Sequence, residues 1–224
     1  MITAVVFDFD GVIANSEPLH FHAFRSVAAR VGLTLTEADY YSRYLGFDDV
    51  GAFRAMGEDA RTPLSDATIA TLVAEKAVAL EALEHGGSVL FPGAREAIVR
   101  MAAYGPIAIA SGAIRPEILR VLEREQLSHY FPIVVSAEDT PASKPDPAPY
   151  RLAVQRLAAE TGSRLSPETC VAVEDSRWGL QSARGAGLKT IGITQSYSSS
   201  ELRAEADMVI DHLDELTSTL LSRL

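Results

Sequence analysis

Residues 4–12 of this chain read AVVFDFDGV and are the clearest structural signal in it. Four apolar residues in a row predict a buried β-strand, and the acids and glycine that follow predict the turn where the strand ends. In open sheets of parallel strands, ligands bind in a crevice at the carboxyl ends of the strands. We therefore expect Asp8 and Asp10 to face such a crevice.

Five further short apolar runs follow this strand and alternate with helical patterns. Strands that helices cover on both faces of a parallel sheet are apolar throughout, as these runs are. The runs are Ile107–Ala110, Ile133–Val135, Val171–Val173, Thr190–Ile193 and Met208–Ile210. The helical patterns cover Ala94–Ala103, Pro116–Gln126, Pro149–Thr161 and Ser176–Ala186. The alternation predicts an α/β fold with a doubly wound parallel sheet and right-handed crossovers.

Residues 15–87 interrupt this alternation, because they contain helical patterns and no convincing strand. Helices are expected at Pro18–Val31, Ala38–Tyr44, Val50–Met56 and Ser65–His85. The last of them carries an apolar stripe that should be buried, made of Ile69, Leu72, Val73, Leu80 and Leu83. We therefore predict an α/β core domain of residues 1–14 and 88–224, with an inserted helical cap domain of residues 15–87.

The composition indicates a globular protein with an acidic surface. The chain has 224 residues, 47% of them hydrophobic, and a net charge of −10, which disfavours nucleic acid or an anionic membrane as a partner. The one cysteine, Cys170, lies in an apolar run, where cysteine packs as a small hydrophobe. No apolar run approaches the roughly 18 residues of a membrane span. A chain without a disulfide fits the reducing cytoplasm, where we expect a monomer.

The two acids after the first strand need compensation for their charge. Two carboxylates about 4 Å apart repel each other by roughly 4 kcal/mol at an effective dielectric constant of 20, so the pair requires a cation or a shared proton. Mg²⁺ favours carboxylate, carbonyl and phosphate oxygens. A second acidic pair, Glu174 and Asp175, follows another predicted strand, and both pairs could converge on one metal ion. Taken singly, each pair could also be a loop residue and a helix cap.

Two other strand ends carry groups that bind phosphate. Ser111 and Gly112 end the second predicted strand and bring a hydroxyl and backbone N–H groups to the same crevice. Lys144 stands before Pro145 and Pro147, whose rings restrict the neighbouring backbone and orient the lysine. Each motif alone is weak evidence. Their order along the chain, together with the two acidic pairs, is strong evidence for a site that binds phosphate and a metal ion.

The four motifs together resemble those of the haloacid dehalogenase superfamily. They are DFDG at residues 8–11, SG at 111–112, KP at 144–145 and EDS at 174–176. Residues 10–20, DGVIANSEPLH, are similar to the branch that contains β-phosphoglucomutase and related sugar-phosphate phosphatases. The resemblance spans essentially the whole chain, including the position of the helical cap.

The resemblance implies a role for each residue of the first three motifs. Asp8 would be the nucleophile that becomes phosphorylated, and Asp10 the general acid and base. Ser111, Gly112 and Lys144 would hold the phosphoryl oxygens. The implied activity is hydrolysis of a small phosphorylated metabolite through an aspartyl phosphate.

The resemblance also implies a bound Mg²⁺ ion and two cap positions near the substrate. In the family the metal is held by the acids of the first and last motifs, which here are Asp8, Asp10 through its backbone carbonyl, Glu174 and Asp175. His20 corresponds to the hinge position that contacts substrate. Gly46 belongs to the cap loop that faces it.

Other activities of this superfamily fit the sequence less well. Its dehalogenases lack the second acid of the first motif, which Asp10 supplies here. Phosphonate hydrolysis needs a cap lysine for a Schiff base, and Lys76, the only lysine of residues 15–87, is expected to be solvated beside Glu75. Trp178, just past the last motif, is expected to pack and not to stack on a ligand.

Phosphatase, phosphomutase and signalling module are the alternatives that remain. A mutase has a cation in the cap loop to hold a second phosphate, where this chain has Asp48 and Asp49, whose charge favours hydrolysis. A receiver-like module, phosphorylated on Asp8 without turnover, would have no cap and no use for Asp10 as an acid. We therefore predict a Mg²⁺-dependent phosphatase that acts on a small phosphorylated metabolite such as a sugar phosphate.

Overall fold

The computed structural model describes residues 1–45, 47, 49–84, 87–162 and 164–224 of the chain. The chain divides into two compact units, a larger one of Met1–Asn15 and Val89–Leu224 and a smaller one of Ser16–Ser88. The boundaries drawn from the sequence lie one residue before these. That the two units act as a core and a cap domain is our proposal from the sequence.

The larger unit is built on six parallel strands. They are β1 Ala4–Phe7, β2 Ile107–Ala110, β3 Ile133–Val135, β4 Cys170–Glu174, β5 Lys189–Ile193 and β6 Met208–Ile210. The strand order is β3-β2-β1-β4-β5-β6, and all neighbouring strands are parallel. This order runs outward in both directions from β1 and β4, so the predicted doubly wound sheet is confirmed.

Burial explains why such short runs form strands. Every residue of β1, β2 and β4 is buried, and all of them except Glu174 at the end of β4 are apolar, as strands covered on both faces should be. The bounds of β1, β2, β3 and β6 are as predicted, whereas β4 is longer by one residue at each end and β5 by one at its start. Cys170, the first residue of β4, is buried with a free thiol, as predicted. Glu174 therefore belongs to the sheet and not to the turn after it.

Ten α-helices are found among the described residues, of which the first four lie in the smaller unit. They are α1 Glu17–Ala28, α2 Glu37–Asp39, α3 Asp49–Asp59, α4 Asp66–Glu84, α5 Ala94–Tyr104, α6 Arg115–Arg124, α7 Ala148–Thr161, α8 Arg177–Gly185, α9 Ser199–Leu202 and α10 Ser218–Leu221. A π-helical segment, Tyr40–Tyr44, continues α2, and 3-10 turns lie at Ala29–Val31, Ser128–Tyr130, Ala137–Asp139, Pro167–Thr169 and Leu213–Glu215. No described helix has both the length and the apolarity to cross a membrane.

The described part of the smaller unit contains helices and no strand, as predicted. Its apolar cluster includes Phe24 and Phe53, whose rings pack edge to face with centroids 5.1 Å apart. On α4, Ile69, Leu72 and Leu80 of the predicted stripe are buried. Leu83 is 37% exposed, so its predicted burial is wrong.

Candidate active site

The first and last motifs meet because β1 and β4 are neighbours in the sheet. Phe7 pairs with Val173 in the parallel register, and the Asp8 backbone N–H donates to the Val173 carbonyl oxygen at 2.9 Å. One carboxylate oxygen from each of Asp8, Glu174 and Asp175 lies within 4.8 Å of the others. The strand order diverges between β1 and β4, which is where open α/β sheets bind ligands.

Lys144 joins these acids from the loop that precedes α7. Its Nζ lies 2.7 Å from Asp8 Oδ1 and 2.6 Å from Glu174 Oε1, and its side chain is only 12% exposed. Ion pairs at this depth are screened by water much less than pairs on the surface. The lysine therefore offsets part of the negative charge that three buried acids bring together.

Glu174 is fully buried, and its carboxylate accepts four hydrogen bonds. Oε1 accepts from Lys144 Nζ at 2.6 Å and from the Tyr150 hydroxyl at 3.0 Å. Oε2 accepts from the backbone N–H of Ser176 at 3.1 Å and from its hydroxyl at 2.9 Å. A carboxylate has about four lone-pair positions, so protein donors occupy all of them. Gly179 leaves room for this carboxylate, since a Cβ there would lie 1.7 Å from Oε1.

Asp175 lies against the turn that follows β1. Its Oδ2 accepts a short hydrogen bond from the Ser196 hydroxyl. A Cβ on Gly11 would lie 2.0 Å from the same oxygen, and the φ of Gly11 is +76°, which glycine adopts without strain. The glycine of the first motif is therefore required for both space and conformation. Ser196 could not be identified from sequence, because it lies 21 residues from Asp175 and outside any motif.

Burial and mutual repulsion change the proton affinities in this group. Burial and the charge of Glu174 hold the pKa of Asp8 well above its usual range, although Lys144 acts in the opposite direction. The same two causes raise the pKa of Asp175 to about 7. Burial opposes the charge of Lys144, but Asp8 and Glu174 outweigh it and raise the lysine pKa. A divalent cation beside Asp8 and Asp175 would favour their ionised forms, and carboxylate oxygens of this kind suit Mg²⁺.

The other predicted site residues of the larger unit follow β1 and β2. Ser111 comes directly after β2 and is buried, and its hydroxyl accepts the Ala113 backbone N–H at 3.0 Å. Gly112 is exposed, with open space where a side chain would stand. Asp10, two residues past Asp8, is partly buried. The adjacent strands β1 and β2 thus present Asp8, Asp10 and Ser111 at their carboxyl ends.

The predicted substrate residue His20 contacts a buried lysine within the smaller unit. Lys76 Nζ lies 3.0 Å from His20 Nδ1 and donates to Asp49 Oδ1 at 2.8 Å. Lys76 is 1% exposed, so the expectation of a solvated side chain is wrong. Its position four residues after Leu72, on the apolar face of α4, was the signal that pointed to burial.

Lys76 also pairs with one of the two acids that were expected to repel a second phosphate. Gly46 and Asp48 lie outside the described residues. Asp49 begins α3 and is paired with Lys76, so its charge is compensated within the smaller unit. The expected repulsion of a second phosphate is therefore weakened at Asp49.

Trp178 is the second residue of α8, and its side chain is 58% exposed. The buried residues of this helix include Gly179, Leu180 and Ala183, so the indole lies off the face that packs on the sheet. The expectation that Trp178 packs is therefore wrong.

Comparison with known proteins supports the resemblance seen in the four motifs. A family model described as haloacid dehalogenase-like hydrolase matches residues 5–193. A phosphorylated carbohydrates phosphatase from Thermotoga maritima is 31% identical over 210 residues, which cover 92% of each chain. Hexitol phosphatase B from Escherichia coli is 29% identical over 222 residues, 97% of this chain and 95% of its own. The crystal structure of CbbY from Rhodobacter sphaeroides in complex with phosphate is 27% identical, with a TM-score of 0.84 and full coverage of both chains.

The family model and the Thermotoga relative each match most of the chain, and the six-stranded parallel sheet has the fold that the motifs predicted. This chain belongs to the haloacid dehalogenase-like hydrolase family.

Proposed function

We propose that this protein is a Mg²⁺-dependent phosphatase, which hydrolyses a small phosphorylated metabolite such as a sugar phosphate through an aspartyl phosphate on Asp8. The observation that carries the proposal is the buried carboxylate of Asp8, held 2.7 Å from the Lys144 ammonium at the end of a central strand. Two relatives that align over nearly the whole chain are named as phosphatases of carbohydrate or hexitol phosphates. Their names support the same substrate class here.

The chain's own groups suffice to describe the first chemical step. Lys144 and the Ser111 hydroxyl, with the backbone at Gly112, bind the oxygens of the phosphoryl group and orient its phosphorus toward Asp8. An Asp8 oxygen attacks phosphorus, the P–O bond to the leaving group breaks, and Asp10 gives its proton to the departing oxygen. The products of this first step are the free alcohol and phosphorylated Asp8.

The second step returns the protein to its starting state. Asp10, now ionised, takes a proton from a water molecule, whose oxygen attacks the phosphorus on Asp8. The bond between phosphorus and Asp8 breaks and inorganic phosphate leaves. Asp10 then carries the proton again, so the cycle consumes one water and balances.

Asp8, Asp175 and the backbone carbonyl of Asp10 are the groups that we propose to hold Mg²⁺. When bound, the ion neutralises charge on the phosphoryl oxygens and on Asp8. Glu174, which the family resemblance adds to the ligands, already accepts four hydrogen bonds from protein donors. We therefore propose that Glu174 positions the Lys144 ammonium and is not a ligand of the metal ion.

Substitution of Asp8 tests this proposal. Asp8→Asn keeps the size of the side chain but removes the attacking charge, so hydrolysis of 4-nitrophenyl phosphate should be nearly abolished while the fold persists. Asp211→Asn is the matched control, because Asp211 follows β6 as Asp8 follows β1. Its carboxylate accepts a hydrogen bond from the Thr194 hydroxyl at 2.8 Å and has no role in the proposed reaction. Acid quenching and peptide mass spectrometry should find phosphate on Asp8 in the wild type. Appreciable turnover by Asp8→Asn, or a labelled residue other than Asp8, contradicts the mechanism.

A phosphomutase is the second candidate, and the buried Lys76 beside His20 is the observation that favours it. A mutase must hold a second phosphate with a cation in the cap, and Lys76 is a buried cation of the smaller unit. We keep hydrolysis as the proposal, since Lys76 is already paired with Asp49. Phosphorus NMR with β-glucose 1-phosphate and a trace of the 1,6-bisphosphate separates the two. Inorganic phosphate should accumulate, whereas near-stoichiometric glucose 6-phosphate would make the protein a mutase.

We also propose that the protein works as a cytoplasmic monomer without a nucleic-acid or membrane partner, in keeping with its net charge of −10. Light scattering on the purified protein checks the monomer. Turnover of 4-nitrophenyl phosphate separates an enzyme from a signalling module, which would be phosphorylated on Asp8 once and would release no further product. Assays against a panel of phosphorylated metabolites would then identify the substrate.

A further inference from the structure

Tyr150 contacts both partners of the ion pair between Lys144 and Glu174. It lies in the first turn of α7, is fully buried, and donates its phenolic hydroxyl to Glu174 Oε1 at 3.0 Å. The centroid of its ring lies 5.1 Å from Lys144 Nζ, within the range of a cation–π contact. One side chain thus holds the carboxylate through its hydroxyl and the ammonium through its ring.

Packing alone accounts for the ring of Tyr150 but not for its hydroxyl. The ring belongs to an apolar cluster with residues such as Ala108 and Val135, where phenylalanine would fill the same space. A buried phenol requires an acceptor. Here the acceptor is the same Glu174 oxygen that binds Lys144, so the hydroxyl acts directly on the ion pair.

We propose that Tyr150 is a positioning residue, which sets how Lys144 is shared between Glu174 and Asp8. Its hydroxyl occupies one lone-pair position of Glu174 Oε1, and the ammonium occupies the other, from which it also reaches Asp8 Oδ1 at 2.7 Å. Without the hydroxyl, Oε1 keeps more of its negative charge and draws the ammonium away from Asp8. The inference rests on the proposed function, in which Lys144 binds phosphoryl oxygens.

Tyr150→Phe removes only the hydroxyl, and Tyr104→Phe is the matched control. Tyr104 also donates one hydrogen bond, to the Ile2 carbonyl oxygen at 2.7 Å, but it ends α5 on the side of the sheet where β2 begins. Both variants are compared with the wild type for calorimetric binding of inorganic phosphate at saturating Mg²⁺, for KM and kcat with 4-nitrophenyl phosphate, and for melting temperature.

We expect Tyr150→Phe to raise the dissociation constant for phosphate, and KM with it, by about tenfold. This is the lower end of the effect of one hydrogen bond to a charged group, because the lost bond acts on phosphate only through Lys144. Tyr104→Phe should leave both constants unchanged. Tyr150→Phe should melt somewhat below Tyr104→Phe, because it loses a hydrogen bond to a charged acceptor and Tyr104→Phe loses one to a neutral carbonyl. Glu174 retains three donors in Tyr150→Phe, so the fold should persist.

A double-mutant cycle with Lys144→Met decides whether Tyr150 acts through the lysine. In the Lys144→Met background, Tyr150→Phe should change phosphate binding no further. The proposal is overturned if Tyr150→Phe binds phosphate as Tyr104→Phe does, or if its loss persists without Lys144. A wild type that neither binds phosphate nor hydrolyses the ester refutes the proposed function. Normal wild-type turnover with an unaffected Tyr150→Phe refutes only the role of Tyr150.

Discussion

Replacing Gly179 with alanine tests whether α8 must pass this close to Glu174. In an ordinary helix the change from glycine to alanine stabilises by about 1 kcal/mol. Here the new Cβ would lie 1.7 Å from Oε1 and 1.8 Å from Cδ of Glu174. The carboxylate would have to move, and it is fully buried with four hydrogen bonds.

The size of the effect follows from those hydrogen bonds. Each hydrogen bond to a charged group is worth about 1.5–3 kcal/mol. If about two of these hydrogen bonds are lost and the gain of about 1 kcal/mol in helix propensity is subtracted, the net destabilisation is about 3 kcal/mol. In a chain of this length, 1 kcal/mol corresponds to about 2–4 °C in melting temperature, so Gly179→Ala should melt about 6–12 °C below the wild type.

Gly185→Ala is the matched control, because Gly185 lies in the same helix without this contact. A Cβ there would have its nearest neighbour, a side-chain atom of Pro147, at 3.4 Å, which is an ordinary contact. We expect Gly185→Ala to melt at or slightly above the wild-type temperature. Scanning calorimetry of the three proteins at one pH and one Mg²⁺ concentration measures the difference. A Gly179→Ala protein as stable as Gly185→Ala would refute the reasoning.

Three further predictions concern single acids. Partial burial opposes ionisation of Asp139, but hydrogen bonds from Ser136 and Arg156 outweigh it and hold the pKa of Asp139 well below its usual range. Its ionised form should therefore stabilise the fold above the unfolded-state pKa of about 3.9. In urea denaturation the stability lost in Asp139→Asn should shrink as pH falls from about 5 toward about 2, and a loss independent of pH would contradict this. Asp10→Asn should lower kcat by about 10²–10⁴-fold with an alkyl phosphate and by less with an aryl phosphate, whose leaving group needs less protonation; equal losses would assign Asp10 a structural role only. Chelation should stop turnover reversibly and Asp175→Ala should raise the Mg²⁺ concentration required, whereas activity that survives exhaustive chelation would exclude the metal.

Local sequence was sufficient to predict most elements of the larger unit. A strand buried on both faces needs an unbroken apolar run, and runs such as Ala4–Phe7 and Ile107–Ala110 became strands with the predicted bounds. Polar residues directly after such runs must lie at the carboxyl edge of a parallel sheet. For this reason Asp8, Ser111 and the two acids at the end of the predicted fourth strand could be identified as site candidates before the strand order was known.

The wrong expectations all concern single side chains on helices. Periodicity identifies the apolar face of a helix, but it does not reveal where the neighbouring elements end. Leu83 therefore lies on the predicted stripe and is still exposed, while Lys76 lies on the same face and is buried. A charged residue on an apolar face is readily taken for a solvated one, unless the acid that pairs with it is known. That acid, Asp49, is 27 residues away along the chain.

The arrangement inside the candidate site required the three-dimensional structure. Glu174 and Asp175 are adjacent in sequence, yet the Glu174 carboxylate is saturated by Lys144, Tyr150 and Ser176, and the Asp175 carboxylate accepts from Ser196. The partners Tyr150 and Ser196 lie 24 and 21 residues from their acids. Such contacts depend on strand order, side-chain rotamers and the close approach of backbone segments. A one-dimensional pattern records which residues end a strand, but a hydrogen bond between distant residues forms only where the folded chain brings donor and acceptor within about 3 Å.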